Sequence, residues 1–561
     1  MKGAYPKLIL PAVVVILAAL VGFWLAKDAV KSGSGKNPNA DSPPPRPAQQ
    51  VDAPNPPRKS IPRHAGKSPI DFRDLFLGIP KERLVRFKTE QDYRAFLSKL
   101  NGKNLRLLGQ IDALRAVRVG LDNLSDLEGL LDDDSESFGN YLVAIPELPQ
   151  VDAQPGAVGF GRATLEWLGI TGDNSSWGKG VHIAMLDTGV GQHAAFPNGI
   201  REIDLVTGDG PPIELNGHGT AVAALLVGSD TISQGIAPGA DLLSIRIGDE
   251  GGASNSFLLA EGIVRAVDEG AQVINISMGS YGDSVLVSDA VNYALEKNVV
   301  IVAAAGNEGL ETPAYPAAYE GVIAVGAVDG NGQHLAFSNT GENLDLGAPG
   351  YEIVSAWPGD QFTSFSGTSA SAPIVAGTIA ATMTELGPLP AATATQVVLD
   401  HLNAAGAPGD DPQFGEGIID VGRIMNSETP GIYDAAVASN WYEGPGEGEI
   451  VGRLLVTVEN RGTEALSNTR IDVTVGENTF PMSVANLPPG GTQVLTLPVN
   501  APTSAESVAI RSALAVGGQD SKPENNILTG EIILINGASS EATAANPPLP
   551  TAPVVPLPDE P

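Results

Sequence analysis

The eight residues from 180 to 187 read GVHIAMLD. From Ile183 to Leu186 the run is apolar without a break, and it closes on a carboxylate, Asp187. A strand covered on one face alternates apolar and polar residues, whereas a strand buried on both faces reads as a continuous apolar string. Four more such strings follow: ADLLSIRI (240–247), AQVINIS (271–277), VVIVAAA (299–305) and GVIAVGAV (321–328). In two of the intervals, SFLLAEGIVRAVDEG (256–270) and VLVSDAVNYALEKN (285–298) carry apolar residues at helical spacing. This alternation predicts an α/β domain over residues 155–428, a parallel sheet covered by helices in three layers. Ligand sites in such sheets lie at the carboxyl ends of the strands, where Asp187 emerges.

The texture changes on both sides of this domain. Upstream, residues 79–150 mix short alternating runs (RLVRF, LRLLGQI, LRAVRVGL, YLVAIPEL) with the helical stretches TEQDYRAFLSKL and NLSDLEGLLDDD. Their order predicts a small βαββαβ α+β unit with YLVAIPEL as its last strand. Downstream, residues 430–536 alternate apolar and polar residues between Gly, Pro and Asn clusters, the pattern of an all-β sandwich. A Pro-rich linker is expected at 31–78 and a disordered Pro/Ala-rich tail at 537–561. Residues 8–26, LILPAVVVILAALVGFWLA, form an uncharged run long enough to span a bilayer, within a segment 1–30 read as anchor or signal sequence. Trp24-Leu25-Ala26 makes a poor cleavage site, so an uncleaved single-pass anchor is expected, with secretion after cleavage as the competing reading. Either places the bulk of the chain outside the cytoplasm.

Composition removes several function classes. Among 561 residues the net charge is −32, and no basic patch interrupts it, so a nucleic-acid partner is not expected. The chain has no cysteine, which removes disulfides, thiolate metal sites and cysteine nucleophiles together.

Four positions in the α/β domain carry chemistry between them. Asp187 stands at a strand end; alone it reads equally well as a turn cap. His218, in NGHGTAVAALLVG (216–228), lies between glycines that let other groups approach its ring. Ser369, in FSGTSASAPIVAGTIAATM (365–383), sits at a helix mouth, where serine is an ordinary cap. Asn307 ends the buried run in IVAAAGNEG (301–309). A serine hydroxyl is a poor nucleophile until an imidazole takes its proton and a carboxylate orients that imidazole. An amide donor would stabilise the oxyanion that follows. One group of each kind therefore outweighs four separate bland readings.

The strings AMLDTGV, NGHGTAVA, AAAGNEG and SGTSASAP resemble the four signatures of the subtilisin-like serine proteases, in the same order. The resemblance implies a serine endopeptidase with Ser369 as nucleophile, His218 as base and then acid, Asp187 as orienting carboxylate, and Asn307 with the Ser369 N–H as oxyanion donors. It implies that an extended peptide or protein substrate lies between Gly252, Ala253 and Ser254 on one side and Ser277, Met278 and Gly279 on the other. Ala303, Ala304, Ala305 and Gly306 would line the pocket for the residue before the scissile bond. Small residues there favour large uncharged side chains, with a basic preference as runner-up because of Glu308. No cofactor is required for this chemistry; structural calcium is left open, and DGNG (329–332) lacks the later glutamate of an EF-hand. The 79–150 unit resembles the inhibitory propeptides of the family, implying a zymogen that cuts itself within 145–156. The C-terminal sandwich resembles a bacterial adhesion-related immunoglobulin-like module, with a protein or surface partner. A catalytically silent scaffold serving that module is the alternative function. Two departures from the family pattern stand out: Ala370 follows the serine where methionine is usual, and GQHAAFPNG (191–199) replaces a His-Pro pair.

Overall fold

The computed structural model describes residues 78–100, 104–146, 156–207, 216–445, 451–500, 507–532 and 542–545. The apolar run 8–26 and, but for its last residue Gly78, the linker expected at 31–78 lie outside the described residues. Among the described residues no helix is long and apolar enough to cross a membrane.

The first unit contains β1 (Glu82–Phe87), α1 (Glu90–Lys99), β2 (Leu105–Ile111), β3 (Ala116–Leu121), α2 (Leu124–Glu128) and β4 (Ser135–Phe138). Its antiparallel sheet runs β2-β3-β1-β4. Thr89 caps α1 by accepting from the Asp92 N–H at 3.2 Å. Tyr93 and Phe96 on one face of α1 pack on Val85, Phe87 and Val117 of the sheet. The expected last strand, YLVAIPEL, needs correcting. The fourth strand of the sheet is SESF (135–138), and Leu142–Ala144 form β5, which leaves the unit to pair with the next domain. SESF has no apolar alternation because its residues are exposed or half-buried, so periodicity could not find it.

The α/β domain continues with α3 (Thr164–Trp167), β6 (His182–Asp187), β7 (Arg201–Asp204), α4 (His218–Val227), β8 (Asp241–Arg246), β9 (Ala253–Asn255), α5 (Ser256–Asp268), β10 (Val273–Ile276), α6 (Val285–Glu296), β11 (Val300–Ala304), β12 (Val322–Val328) and β13 (Leu346–Pro349). A hairpin of β14 (Ile353–Trp357) and β15 (Gln361–Phe365) then leads into α7 (Thr368–Glu385), α8 (Ala391–Asp400) and α9 (Val421–Met425). The seven-stranded sheet runs β13-β12-β11-β10-β6-β8-β7, parallel throughout. α5 and α6 cover one face, burying Phe257, Ile263 and Val291 against Leu186 and Ile276; α4 and α7 cover the other, burying Leu226 and Ile374 with Met185 and Val302. Strand β6 has β8 on one side and β10 on the other, and the later strands β11 to β13 add outward from β10, so the strand order reverses between β6 and β10. That crevice is where loops part and a ligand site can form.

Two antiparallel sheets follow. One runs β16 (Ala435–Glu443), β17 (Val451–Asn460), β20 (Thr492–Asn500); the other runs β19 (Asn478–Ser483), β18 (Arg470–Val475), β21 (Val508–Ala515), β22 (Ile527–Ile532), β23 (Ala542–Ala545). They share a core that includes Leu454, Val456, Ile471, Val473 and Ile510. The reading of 537–561 as a disordered tail fails at 542–545, where the backbone pairs with the outer edge of β22 and satisfies groups that would otherwise stay open.

A buried ion cluster joins this sandwich to the α/β domain. Glu459 at the end of β17, only 2 % exposed, accepts from Arg423 of α9, from Arg461 Nε at 2.9 Å, and from the Ala404 N–H at 3.0 Å. Arg423 also donates to the Leu402 carbonyl at 2.8 Å and to Asn403 Oδ1 at 3.1 Å. Burial alone would raise the Glu459 pKa, but the two guanidiniums outweigh it and hold the carboxyl below its usual range. Glu459→Ala should strand both cations and cost about 3–5 kcal/mol. Because the folded state holds Glu459 ionised more firmly than the unfolded chain does, its contribution is complete above the ordinary carboxylate range and lost as pH falls through the depressed folded value. Calorimetry from neutral to acidic pH checks both: the gap in Tm between wild type and variant should be widest at neutral pH and narrow on acidification.

Candidate active site

Asp187, the last residue of β6, has no exposed surface. Its Oδ1 accepts from the Thr188 N–H at 2.7 Å and from Thr188 Oγ1 at 3.1 Å. Both carboxylate oxygens face His218 Nδ1, at 2.9 and 3.0 Å. Facing a carboxylate, Nδ1 is the donor of this pair, and in the neutral imidazole that leaves Nε2 as the acceptor. That Nε2 is buried and has no hydrogen-bond partner among the described residues.

His218 opens α4, and the glycines around it are structural requirements. Gly217 has φ +91°, and a Cβ there would run into the Trp357 ring. Gly219 lies so close to the Gly189 carbonyl that any side chain would collide with it. The His218 ring also meets the edge of Phe365, with centroids 5.3 Å apart at 74°. Carboxylate, backbone and aromatic ring thus leave the imidazole one orientation.

Ser369 is the second residue of α7 and 2 % exposed. Its hydroxyl donates to the Ser277 carbonyl at 3.3 Å rather than to His218. Asn307, just beyond β11, accepts at Oδ1 from both the N–H and the hydroxyl of Thr368, each at 2.9 Å. With the oxygen engaged, the amide nitrogen faces Gly367, where an added Cβ would lie 2.7 Å from it. Asp187, which holds His218, and Ser277, which accepts from Ser369, end or follow the adjacent strands β6 and β10, while Asn307 follows the next strand, β11, and is bonded to Thr368 beside Ser369.

Residues 252–255 and 277–279 flank a groove that β5 occupies. Leu142, Val143 and Ala144 pair antiparallel with Asn255, Ser254 and Ala253. On the other side Ala144 and Gly279 exchange both backbone hydrogen bonds at 2.9 Å, and the Ile145 N–H donates to the Gly252 carbonyl at 3.0 Å. Gly252 has φ +79°, and a Cβ there would approach Ile145 to 2.5 Å. Met278 turns its side chain into the core and Ser254 bonds the Ile247 carbonyl at 2.6 Å, so both present backbone to the groove. Ala303, Ala304 and Ala305 are buried, and Gly306 (φ +108°) abuts Tyr281, Glu308 and Asn339.

Several neighbours escaped sequence reasoning. Thr188 and Thr368 lie inside quoted strings but carried no assigned role; Phe365 and Tyr281 carried no local signal. The two departures have physical accounts. Ala370 is fully buried in the apolar layer under α7. In the 191–199 loop, His193 Nδ1 accepts from the Ala195 N–H at 3.0 Å, which leaves Nε2 to donate to the Gln361 carbonyl at 3.0 Å; the ring packs edge-on against Phe362 at 5.1 Å. That histidine ties the loop to the β14–β15 hairpin. Asp329 of DGNG accepts from the N–H groups of Asn331 and Gln333 at Oδ1 and of Val158 at Oδ2, each at 2.9 Å. No group of three or more His, Asp or Glu arranged to hold a metal ion occurs among the described residues.

The profile of the subtilase family matches residues 178–417. The chain is 41 % identical over 210 residues to the thermophilic serine proteinase of Bacillus sp. strain AK1, covering 36 % of this chain and 52 % of that protein, so it spans about half of that relative's length. It is 31 % identical over 352 residues to alkaline elastase YaB of Bacillus sp. strain YaB, covering 60 % of this chain and 89 % of that protein. The solved structure of an epidermin leader peptide processing serine protease from Staphylococcus aureus shares the fold, with a TM-score of 0.53 at 20 % identity over 62 % of this chain and 99 % of that one. With 89 % of the elastase matched at 31 % identity and the family profile matching residues 178–417, the chain belongs to the subtilase family of serine endopeptidases.

Proposed function

We propose that the protein is made as a self-processing zymogen and hydrolyses extended polypeptides through Ser369, His218 and Asp187. The observation that carries this is the buried Nε2 of His218, held as a lone pair by the Asp187 contact at 2.9 Å and left without a partner among the described residues. Rotation of the Ser369 hydroxyl away from the Ser277 carbonyl lets Nε2 take its proton as Oγ bonds to the substrate carbonyl carbon. The carbonyl π electrons move to the oxygen, which the Asn307 amide and the Ser369 N–H stabilise. His218 then passes the proton to the departing amine. Water repeats the sequence on the acyl-enzyme, and Asp187 stabilises the charged imidazole in both halves. A silent scaffold has no chemical need for this arrangement.

Pairing of β5 with 252–255 and with Gly279 supports the zymogen reading, because a segment of the chain lies where a substrate strand would. Main-chain hydrogen bonds give such pairing its affinity with little demand on sequence. Cleavage then falls after this strand, within 145–156. Small residues at 303–306 support a roomy pocket for large uncharged side chains. Glu308, engaged by the Tyr281 hydroxyl and the Asn307 N–H, is less available to a basic residue. The apolar run 8–26 supports an anchored or exported enzyme acting outside the cytoplasm, with the C-terminal sandwich meeting a protein or surface partner.

Ser369→Ala should abolish fluorophosphonate labelling and self-trimming, with kcat on a peptide ester falling on the order of 10⁶-fold; persistent labelling would remove Ser369 from the nucleophile's role. Ala144→Pro deletes the N–H that bonds Gly279, and self-cleavage followed by mass spectrometry should slow at least tenfold, about one or two hydrogen bonds' worth. On a peptide library the mature enzyme should cut after large uncharged residues; cleavage confined to Lys or Arg would reverse the pocket assignment.

A further inference from the structure

Asn307 follows Gly306, whose φ of +108° puts a conformationally free residue just before the proposed oxyanion donor. A loop of that kind holds an amide steady only if its backbone is tied down. Thr368 ties one side, accepting the Gly306 N–H at 3.1 Å and donating to Asn307 Oδ1. On the other side lies a closed ring of side chains that nothing in the catalytic chemistry uses. Glu308 accepts the Asn307 N–H at 2.9 Å and, on the same oxygen, the Tyr281 hydroxyl. Asn339 Nδ2 donates to the Tyr281 hydroxyl at 2.6 Å and to the Ala305 carbonyl at 2.9 Å. Asn339 Oδ1 accepts the N–H groups of Glu308 at 3.2 Å and Leu310 at 2.9 Å, while its own N–H reaches the Gly306 carbonyl at 3.1 Å. Every residue from Ala305 to Glu308 is therefore gripped through its backbone.

We infer that Tyr281, acting through Glu308 and Asn339, is a positioning residue that fixes the Asn307 amide for oxyanion stabilisation. Its phenol bridges the two other members of the ring, donating to one and accepting from the other. It comes from the loop just after Gly279, so it also couples the substrate-binding wall to the oxyanion loop. Burial, reinforced by the negative charge of Glu308, pushes the phenol pKa up and keeps the hydroxyl a donor throughout the neutral and mildly alkaline range. The inference rests on the proposed role of Asn307.

The test uses the full chain with each kcat normalised to sites titrated by a fluorophosphonate, so misfolded material does not count. Tyr281→Phe should lower kcat about threefold to tenfold with KM within twofold, the loss of one hydrogen bond felt in the transition state. Asn307→Ala should lower kcat about 100- to 1000-fold. The double variant should be no slower than Asn307→Ala alone, because a positioning residue has nothing left to position. If Asn307→Ala slows catalysis but Tyr281→Phe leaves kcat unchanged, alters KM or pocket preference instead, or multiplies with Asn307→Ala, the positioning role is overturned while the oxyanion assignment stands. If Asn307→Ala itself leaves kcat unchanged, both fall together.

Discussion

A carboxylate with no exposed surface has to be surrounded by donors, and Asp187 meets that demand with Thr188 and the Nδ1–H of His218. Much of the domain's local geometry serves this contact. Glycines 217 and 219 allow the imidazole close to the β6 end, with Trp357 packed over Gly217 and Phe365 edge-on to the imidazole, and the pair is buried. His218 Nε2 is buried as well, without a hydrogen-bond partner among the described residues. A buried imidazole nitrogen held in one orientation is the kind of preorganisation on which the proposed nucleophilic catalysis would rely.

The parallel sheet turns that contact into a site. Because its strands run one way, their carboxyl ends gather on one side, and Asp187, Ser277 and Asn307 arrive there from three different strands. Helix α7 brings Ser369 to the same side and, through Thr368, locks Asn307. The groove beside it is defined by open backbone groups of 252–255 and 277–279. A strand edge of that kind pairs with whatever extended segment reaches it, and within this chain β5 does.

The C-terminal sandwich is continuous with this framework. Glu459 holds Arg423 and the 402–404 backbone, and Asn403 exchanges hydrogen bonds of 2.8 Å with Ile418. Residues 417–419 bond Gly347 of β13, whose end accepts the Ser371 hydroxyl at the Ala348 and Pro349 carbonyls, each at 3.1 Å. A chain of hydrogen bonds thus runs from the sandwich joint to the helix that carries Ser369. Burying an ion pair of this type adds little net stability over apolar packing, yet removing either partner is costly because it leaves an uncompensated buried charge.

The parallel α/β class was legible in the sequence, because continuous apolar strands are local signals, and the short Gly-flanked strings singled out Asp187, His218, Asn307 and Ser369 as the candidates. The helical α1 with its Thr89 cap was legible for the same reason. Strand β4 and the excursion of β5 were not: SESF pairs through its backbone without an apolar face, and Leu142–Ala144 alternates alike in either sheet, so only the partner settles its place. Nor could the sequence show that Ser369 bonds Ser277, that Tyr281, Glu308 and Asn339 close a ring, or that Glu459 meets Arg423. Those pairs are 92, 27 to 58, and 36 residues apart, and backbone folding alone brings them within hydrogen-bond reach. Side-chain chemistry along the chain determined which groups were available; the tertiary structure decided which of them touch, since hydrogen bonds act over about 3 Å and carry no trace in sequence spacing.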